Sequence, residues 1–195
     1  MKSKSLHIRH ALFLCAFFFG IVGESWGQVS AGFNTSFVVL SLNSGANTYY
    51  DLQASTSNTD FNGASLGSFT AGTNNLLLKG AEHNVYKCGG ADLTSTRVYY
   101  RIYLTSAGVS GSFTSTDIGY SSGGNNGCGG QDQQWRNLNY STNLLSGLAP
   151  GNYSIQVYSD ATITCCGGTA LADNSGNNYT ATFTVTGNYY SKSTG

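Results

Sequence analysis

The sequence has 195 residues, nine basic and nine acidic, and 13% of its residues are aromatic. Charged residues make up only 9%, and Gly, Ser, Thr and Asn together supply 89 residues. The scarcity of charge excludes a coiled coil, the balanced charge excludes an electrostatic nucleic-acid binder, and the aromatic content excludes a disordered tail. The composition that remains is typical of a β protein whose Gly, Ser and Asn residues form turns.

Residues 1–27 carry the pattern of a secretory signal peptide. Basic residues precede a 12-residue apolar run at positions 11–22, and small residues stand three places and one place before Gln28. This run is shorter than the about 20 residues that a membrane-spanning helix needs. A lipoprotein anchor at Cys15 is disfavoured because apolar residues follow that cysteine. The pattern predicts cleavage before Gln28 and a secreted or cell-surface protein, with no membrane span after cleavage.

Residues 28–187 are predicted to form one domain, and residues 188–195 a linker or the start of a following segment. Three segments alternate apolar and polar residues with a period of two, which indicates half-buried strands: 97–104, 153–158 and 179–186. Weaker strand patterns occur at 36–42, 48–53, 75–79, 112–120 and 133–139. The expected fold is an all-β, antiparallel β-sandwich of immunoglobulin or fibronectin type III character with additional strands.

Four cysteines follow the predicted signal peptide: Cys88, Cys128, Cys165 and Cys166. An even number of cysteines in an exported chain favours disulfides. A bridge between the neighbours Cys165 and Cys166 is discounted because it needs a strained ring. Two pairings stay open, 88–165 with 128–166 and 88–166 with 128–165. A four-cysteine zinc site is disfavoured because the chain lacks the usual C-x₂₋₄-C pairs.

The segment that leads into 153–158 has the pattern of a tyrosine corner. Pro150 and Gly151 suit the centre of a type II turn, in which the glycine takes a positive φ. Tyr153 begins the next strand and is placed to return its hydroxyl to the preceding backbone, as in immunoglobulin-like sandwiches. The alternative is an ordinary turn followed by a buried tyrosine. Either arrangement marks a fold and carries no chemistry.

Five aromatic residues are candidates for ligand binding. Tyr99, Tyr103 and Tyr158 lie opposite the expected core face of their strands, and Tyr120 and Trp135 flank a glycine-rich loop. Aromatic rings exposed on a flat strand surface would stack on the apolar faces of sugar rings. Two alternatives stay open: loops or a neighbouring domain cover this face, or Trp135 belongs to the core.

Asn58, Asp60 and Asn62 are candidate calcium ligands. They place oxygen-bearing side chains at alternate positions before Gly63, as in the first half of a calcium loop. The bidentate glutamate that such a loop needs at its twelfth position is missing, and a second oxygen-rich turn at 173–177 is looser still. The simpler interpretation is that Asn, Asp and Gly form turns. No cofactor is expected apart from this calcium alternative.

The sequence offers little for catalysis, and no enzyme is expected. The one histidine after residue 27, His83, stands in a polar segment typical of a solvated loop. Glu82 is the one glutamate after residue 27, whereas glycoside hydrolysis needs two carboxylates beside a cleft.

Four blocks occur in order over 45–187: YYDLQASTSNTDFNGASLGSF, RVYYRIYLTSAG, LLSGLAPGNYSIQVYSD and NNYTATFTVTG. They resemble the N-terminal β-sandwich domain of large secreted and surface proteins of Bacteroidetes that are associated with type IX secretion. The Cys-Gly-Gly loops depart from that pattern, and no terminal sorting domain follows, so the chain is expected to be a fragment or a truncated product.

The resemblance implies a non-catalytic accessory or adhesion module of a secreted or cell-surface protein. Its partners would be glycans or other surface proteins, and nucleic acid is not expected. The alternative is a carbohydrate-binding module that uses the exposed aromatic residues. A small secreted hydrolase is disfavoured.

Overall fold

The computed structural model describes residues 30–88, 92–123, 132–164 and 168–187. In these ranges the chain forms twelve strands and one 3₁₀ turn, Thr105–Ala107. The strands are β1 (Ser30–Leu42), β2 (Asn47–Asp51), β3 (Ser65–Thr70), β4 (Leu76–Cys88), β5 (Leu93–Leu104), β6 (Thr114–Ile118), β7 (Tyr120–Gly123), β8 (Gln133–Asn137), β9 (Thr142–Asn143), β10 (Gly151–Ile163), β11 (Thr169–Ala172) and β12 (Tyr179–Thr186).

Two six-stranded sheets pack face to face. The first sheet has the order β2-β1-β4-β8-β7, with β9 beside β4, and the second has the order β3-β12-β10-β5-β6, with β11 beside β10. The paired strands are antiparallel except β3 and β12, which run parallel. The prediction of an all-β sandwich is confirmed, although the second sheet is mixed rather than wholly antiparallel.

Side-chain alternation builds the core from both sheets. In β12, Tyr179, Ala181, Phe183 and Val185 are buried while the intervening threonines face away from the core, as the sequence predicts. Each large apolar side chain taken out of water contributes about 1.5–3 kcal/mol. The buried residues that the two sheets contribute include Val38, Leu40, Leu78 and Val85 from the first and Val98, Ile155, Phe183 and Val185 from the second.

Strand β4 is much longer than the predicted segment 75–79. The prediction stops short because a bulge interrupts the alternation of apolar and polar residues along the strand. The register with β1 shifts between the pairs Val39–Gly80 and Leu40–Leu78. Gly80 has φ +125°, and a Cβ there would collide with the backbone carbonyl oxygen of Asn137. Only glycine suits such a position. Beyond the bulge the strand continues and turns His83 towards the core.

The tyrosine corner contains the expected hydrogen bond but not the expected turn. The Tyr153 hydroxyl donates to the Ala149 carbonyl oxygen at 2.9 Å. Gly151 does not take a positive φ, because it already belongs to β10 and pairs with Val185. The positive φ occurs at Gly147 instead, in a turn closed by the Leu148 amide and the Leu145 carbonyl oxygen. The prediction of a type II turn centred on Pro150 and Gly151 is therefore wrong.

Several predictions fall outside the described residues. These are the signal peptide at 1–27, the segment 188–195, Cys128, Cys165, Cys166 and the side chain of Cys88. The disulfides accordingly stay predictions. Within the four described ranges, no helix is long and apolar enough to cross a membrane.

Candidate functional site

The outer face of the second sheet carries a cluster of aromatic and arginine side chains. The register between β5 and β10 places Arg97 opposite Asp160, Tyr99 opposite Tyr158 and Arg101 opposite Gln156. Because every second residue of a strand faces the same way, these three pairs share the face that points away from the core. We call this surface the aromatic–arginine face: Arg97, Tyr99, Arg101, Phe113, Gln156, Tyr158 and Asp160.

An ion pair anchors one end of this face. Arg97 donates to both carboxylate oxygens of Asp160, at 3.2 Å from Nε and 2.7 Å from Nη2, and the Tyr99 hydroxyl donates to the same carboxylate at 2.9 Å. The Asp160 side chain is 6% exposed, so its charge depends on these donors. Burial and then the hydrogen bond to Asp160 raise the pKa of Tyr99 to about 12. The phenol therefore remains a hydrogen-bond donor at neutral pH.

The tyrosine rings of this face cover one another. Tyr99 and Tyr158 stack with ring centroids 4.4 Å apart and planes 2° from parallel. The Arg97 guanidinium lies over the Tyr99 ring at 5.2 Å, and Phe113 meets Tyr158 edge to face at 4.9 Å. Each tyrosine thus buries one ring face against the other tyrosine. Arg97 and Phe113 contact the remaining surface of the two rings. This arrangement does not provide the open, flat platform that sugar stacking on Tyr99 and Tyr158 requires.

Arg101 lies at the end of the face opposite the Arg97–Asp160 ion pair, and no acidic residue balances its charge within the described ranges. Its Nε and Nη2 donate to Gln156 Oε1 at 2.9 and 2.6 Å, and its Nη1 donates to the Gly111 carbonyl oxygen at 3.3 Å. Its guanidinium lies 4.4 Å from the centroid of the Phe113 ring. Tyr103, the next outward residue of β5, lies opposite Ser154 and is half-buried.

Tyr120 and Trp135 belong to the first sheet, so they do not join the tyrosines of the second. Trp135 is 6% exposed, packs in the core and donates from Nε1 to Gln133 Oε1 at 3.2 Å. Tyr120 is 56% exposed and meets the Trp135 ring edge to face at 5.6 Å. Trp135 thus belongs to the core, the alternative that the sequence left open, and a role for it in ligand binding stays a prediction.

The predicted calcium ligands serve the loop that carries them. Asn62 Oδ1 accepts a hydrogen bond from the Thr180 amide at 3.1 Å, and Asn58 Nδ2 donates to Thr56 Oγ1 at 3.3 Å. Asp60 is exposed and bridges Asp51 through the backbone. Among the described residues there is no group of three or more His, Cys, Asp or Glu side chains that could hold a metal ion. Calcium at Asn58, Asp60 and Asn62 stays a prediction.

Asp60 and Asn62 instead line a cavity of about 500 Å³ at the edge of the sandwich. Its other wall is the turn between β11 and β12, which contributes Asp173 and Asn174. The two oxygen-rich turns that the sequence shows separately thus face the same space. We call this space the edge cavity; its walls comprise Asp51, Leu52, Gln53, Ala54, Asp60, Asn62, Leu171, Ala172, Asp173, Asn174, Ser175 and Tyr179.

The carboxylate of Asp51 organises one wall of the edge cavity. It accepts hydrogen bonds from the backbone amides of Gln53, Ser55 and Thr56 at 2.8, 2.9 and 2.7 Å. Burial alone would raise the pKa of Asp51, but these hydrogen bonds outweigh burial and hold the pKa below its usual range. The wall is therefore formed before any ligand arrives.

His83 is a core residue rather than the solvated loop histidine that the sequence suggests. It is 0% exposed, its Nδ1 lies 3.1 Å from Ser36 Oγ, and its ring meets Phe33 edge to face at 5.4 Å. Burial lowers the pKa of His83 to about 3, so the imidazole is neutral at physiological pH. The Ser36–His83 pair resembles a nucleophile and its base in composition only, because a substrate cannot reach it between the sheets.

The fold and these two surfaces define a β-sandwich domain with an ordered aromatic–arginine face and a polar cavity at one edge. Comparisons with protein-family models, curated proteins and solved structures find no match to this chain. The resemblance to surface proteins of Bacteroidetes stays a prediction.

Proposed function

We propose that this chain is a non-catalytic accessory or adhesion module that binds an acidic protein surface through its aromatic–arginine face. The observation that carries the proposal is the ordering of Tyr99, Arg101 and Tyr158 by contacts within the face. Tyrosine and arginine supply a large share of binding energy at protein interfaces. Side chains that are already held in place lose less conformational entropy when a partner binds.

Charge supports an acidic partner. Asp160 balances Arg97, whereas Arg101 contacts only neutral groups in the described part of the chain. An arginine binds a carboxylate with two parallel hydrogen bonds and stays charged at every physiological pH. Docking of a partner carboxylate on Arg101 would balance the charge of the guanidinium without breaking the Arg97–Asp160 ion pair at the other end of the face.

Two further features support a non-catalytic role outside the cell. The sole histidine after residue 27 is buried and neutral, which removes the commonest general base from reach of a substrate. The signal-peptide pattern at 1–27 supports export to the cell surface or the medium.

The proposal is tested on an array of extracellular proteins that range from acidic to basic, with the wild-type chain and two arginine variants. Arg101→Gln removes the unbalanced charge of the face and should weaken binding to acidic proteins about tenfold. Arg136→Gln is the matched control, because Arg136 lies on the first sheet and pairs with Glu82 at 3.1 Å. Added salt should weaken wild-type binding, because salt screens the attraction between charges that are partly exposed to solvent.

Three results would contradict the proposal. One is equal binding by wild type and Arg101→Gln, and another is an equal loss in both arginine variants. The third is turnover on a broad panel of hydrolase substrates, which would establish an enzyme instead.

A further inference from the structure

The edge cavity is a second surface that the proposed function does not use. Its volume of about 500 Å³ lies within the range of about 300–1,000 Å³ that is usual for small-molecule sites. It is open to solvent on one side, at the end of the sandwich where the loop after β2 meets the turn after β11.

The two walls of the cavity are joined by hydrogen bonds between distant parts of the chain. The Gly63 amide donates to the Thr180 carbonyl oxygen at 2.7 Å, and the Thr180 amide donates to Asn62 Oδ1 at 3.1 Å. The Asn178 amide donates to the Asp173 carbonyl oxygen at 2.7 Å, which closes the opposite turn. The cavity is therefore held in shape by the fold itself.

Hydrogen-bond donors and hydrogen-bond acceptors of the lining both remain available to a ligand. The bond to Thr180 uses Asn62 Oδ1 and leaves the Nδ2 donor without a partner in the described part of the chain. Asp60 and Asp173 offer carboxylate oxygens, and Ser175 offers a hydroxyl that both donates and accepts. A ligand that fits must present donors and acceptors side by side, as vicinal hydroxyl groups do.

The apolar part of the lining suits a ligand with a hydrocarbon face. Leu171 is 52% exposed at the cavity, and Leu52, Ala172 and the Tyr179 ring lie deeper. No lysine, arginine or histidine contributes to the described lining, whereas three aspartates do. An anionic ligand would meet uncompensated negative charge.

We propose that the edge cavity binds a neutral sugar. The sugar hydroxyls would bond Asp60, Asn62 and Asp173, and the C–H face of the ring would pack on Leu171. This assigns a glycan site to the edge of the sandwich rather than to the tyrosines, whose ring faces cover one another. The site is independent of the aromatic–arginine face, so either can fail alone.

The test is a titration of the full chain with a panel of neutral mono- and disaccharides, in which binding is measured by ligand-observed NMR or calorimetry. Asp60→Ala and Leu171→Ser should each weaken the best ligand, the first by about tenfold because it deletes a charged hydrogen-bond acceptor. Asp117→Ala is the control for the lost carboxylate, and Val109→Ser is the control for the lost exposed apolar side chain, since Val109 is likewise exposed. Both controls should bind as wild type does.

Several outcomes would overturn the inference. They are the absence of saturable binding up to millimolar sugar, and equal losses in the cavity variants and their controls. Tighter binding of acidic sugars or of an amine such as spermidine would show that the cavity prefers a charged ligand. A strict requirement for added calcium would show that a metal ion, rather than direct contacts with the side chains, holds the sugar. Unchanged melting temperatures of Asp60→Ala and Leu171→Ser establish that any loss of affinity comes from the site.

Discussion

Burial of His83 makes the stability of this protein depend on pH between about 6.5 and 4.5, above the range in which its carboxyl groups titrate. The imidazole has a pKa of about 3 in the fold, because burial disfavours its charged form, against about 6.5 in an unfolded chain. Below pH 6.5 the unfolded state therefore binds a proton that the folded state does not. Stability present at neutral pH is lost as the pH falls, by about 1.4 kcal/mol per pH unit until the folded pKa is reached.

From pH 7.5 to pH 4.5 the expected loss is about 2–3 kcal/mol, out of a total of about 5–15 kcal/mol for a typical domain. Asp51 and Asp92 also have lowered pKa values, but for both carboxyls burial is outweighed by hydrogen bonds. Their contribution is present above the unfolded pKa of about 3.9 and is lost mainly below it. The interval from pH 6.5 to 4.5 therefore isolates His83.

The measurement is urea unfolding followed by tryptophan fluorescence at pH 7.5, 6.5, 5.5 and 4.5 for the wild type and His83→Gln. Glutamine does not titrate and retains a polar group for Ser36 Oγ, so the variant should lose most of the pH dependence whatever its stability at pH 7.5. The comparison of slopes, rather than of absolute stabilities, removes the cost of the substitution itself. Parallel pH profiles for the two proteins would refute the reasoning, as would a wild-type stability that is constant down to pH 4.5.

Three further predictions concern the fold. Tyr153→Phe deletes the hydroxyl bonded to Ala149 and should lower the free energy of unfolding by about 0.5–1.5 kcal/mol; an unchanged urea midpoint would contradict the corner. Trp135→Ala should cost about 3–5 kcal/mol, and blue-shifted Trp135 emission should resist acrylamide; facile quenching would place the ring at the surface. The four cysteines after residue 27 should yield no free thiol, and reduction should cost about 2–5 kcal/mol per bridge, whereas four titratable thiols in protein from its native compartment would exclude the disulfides.

Local sequence patterns predict those strands in which one face is apolar without interruption. Strand β12 spans Tyr179–Thr186, the range that its alternation indicates, because four core residues and four threonines alternate without a break. Strand β10 begins near its predicted start but continues to Ile163. The hydroxyl contact of Tyr153 was also foreseeable, because the turn and the strand that it joins are adjacent in sequence.

Strand β4 shows where local pattern fails. Its bulge at Gly80 changes the phase of the alternation, and the residues that follow, Glu82, His83 and Asn84, are polar as in a loop. Only the pairing of β4 with β1 on one side and β8 on the other makes this segment a central strand. The burial of His83 follows from that position, on the same face as Ala81 and Val85.

The sequence by itself determined the class of fold, the inward residues of the regular strands and the polar character of the turns, because each of these depends on residues close together in the chain. Only the tertiary structure decided which separate segments meet. Cross-strand register stacked Tyr99 on Tyr158 and removed their open faces, and sheet packing placed Trp135 in the core. The edge cavity arose in the same way, because the hydrogen bond from the Thr180 amide to Asn62 Oδ1 helps to bring two oxygen-rich turns together across 118 residues.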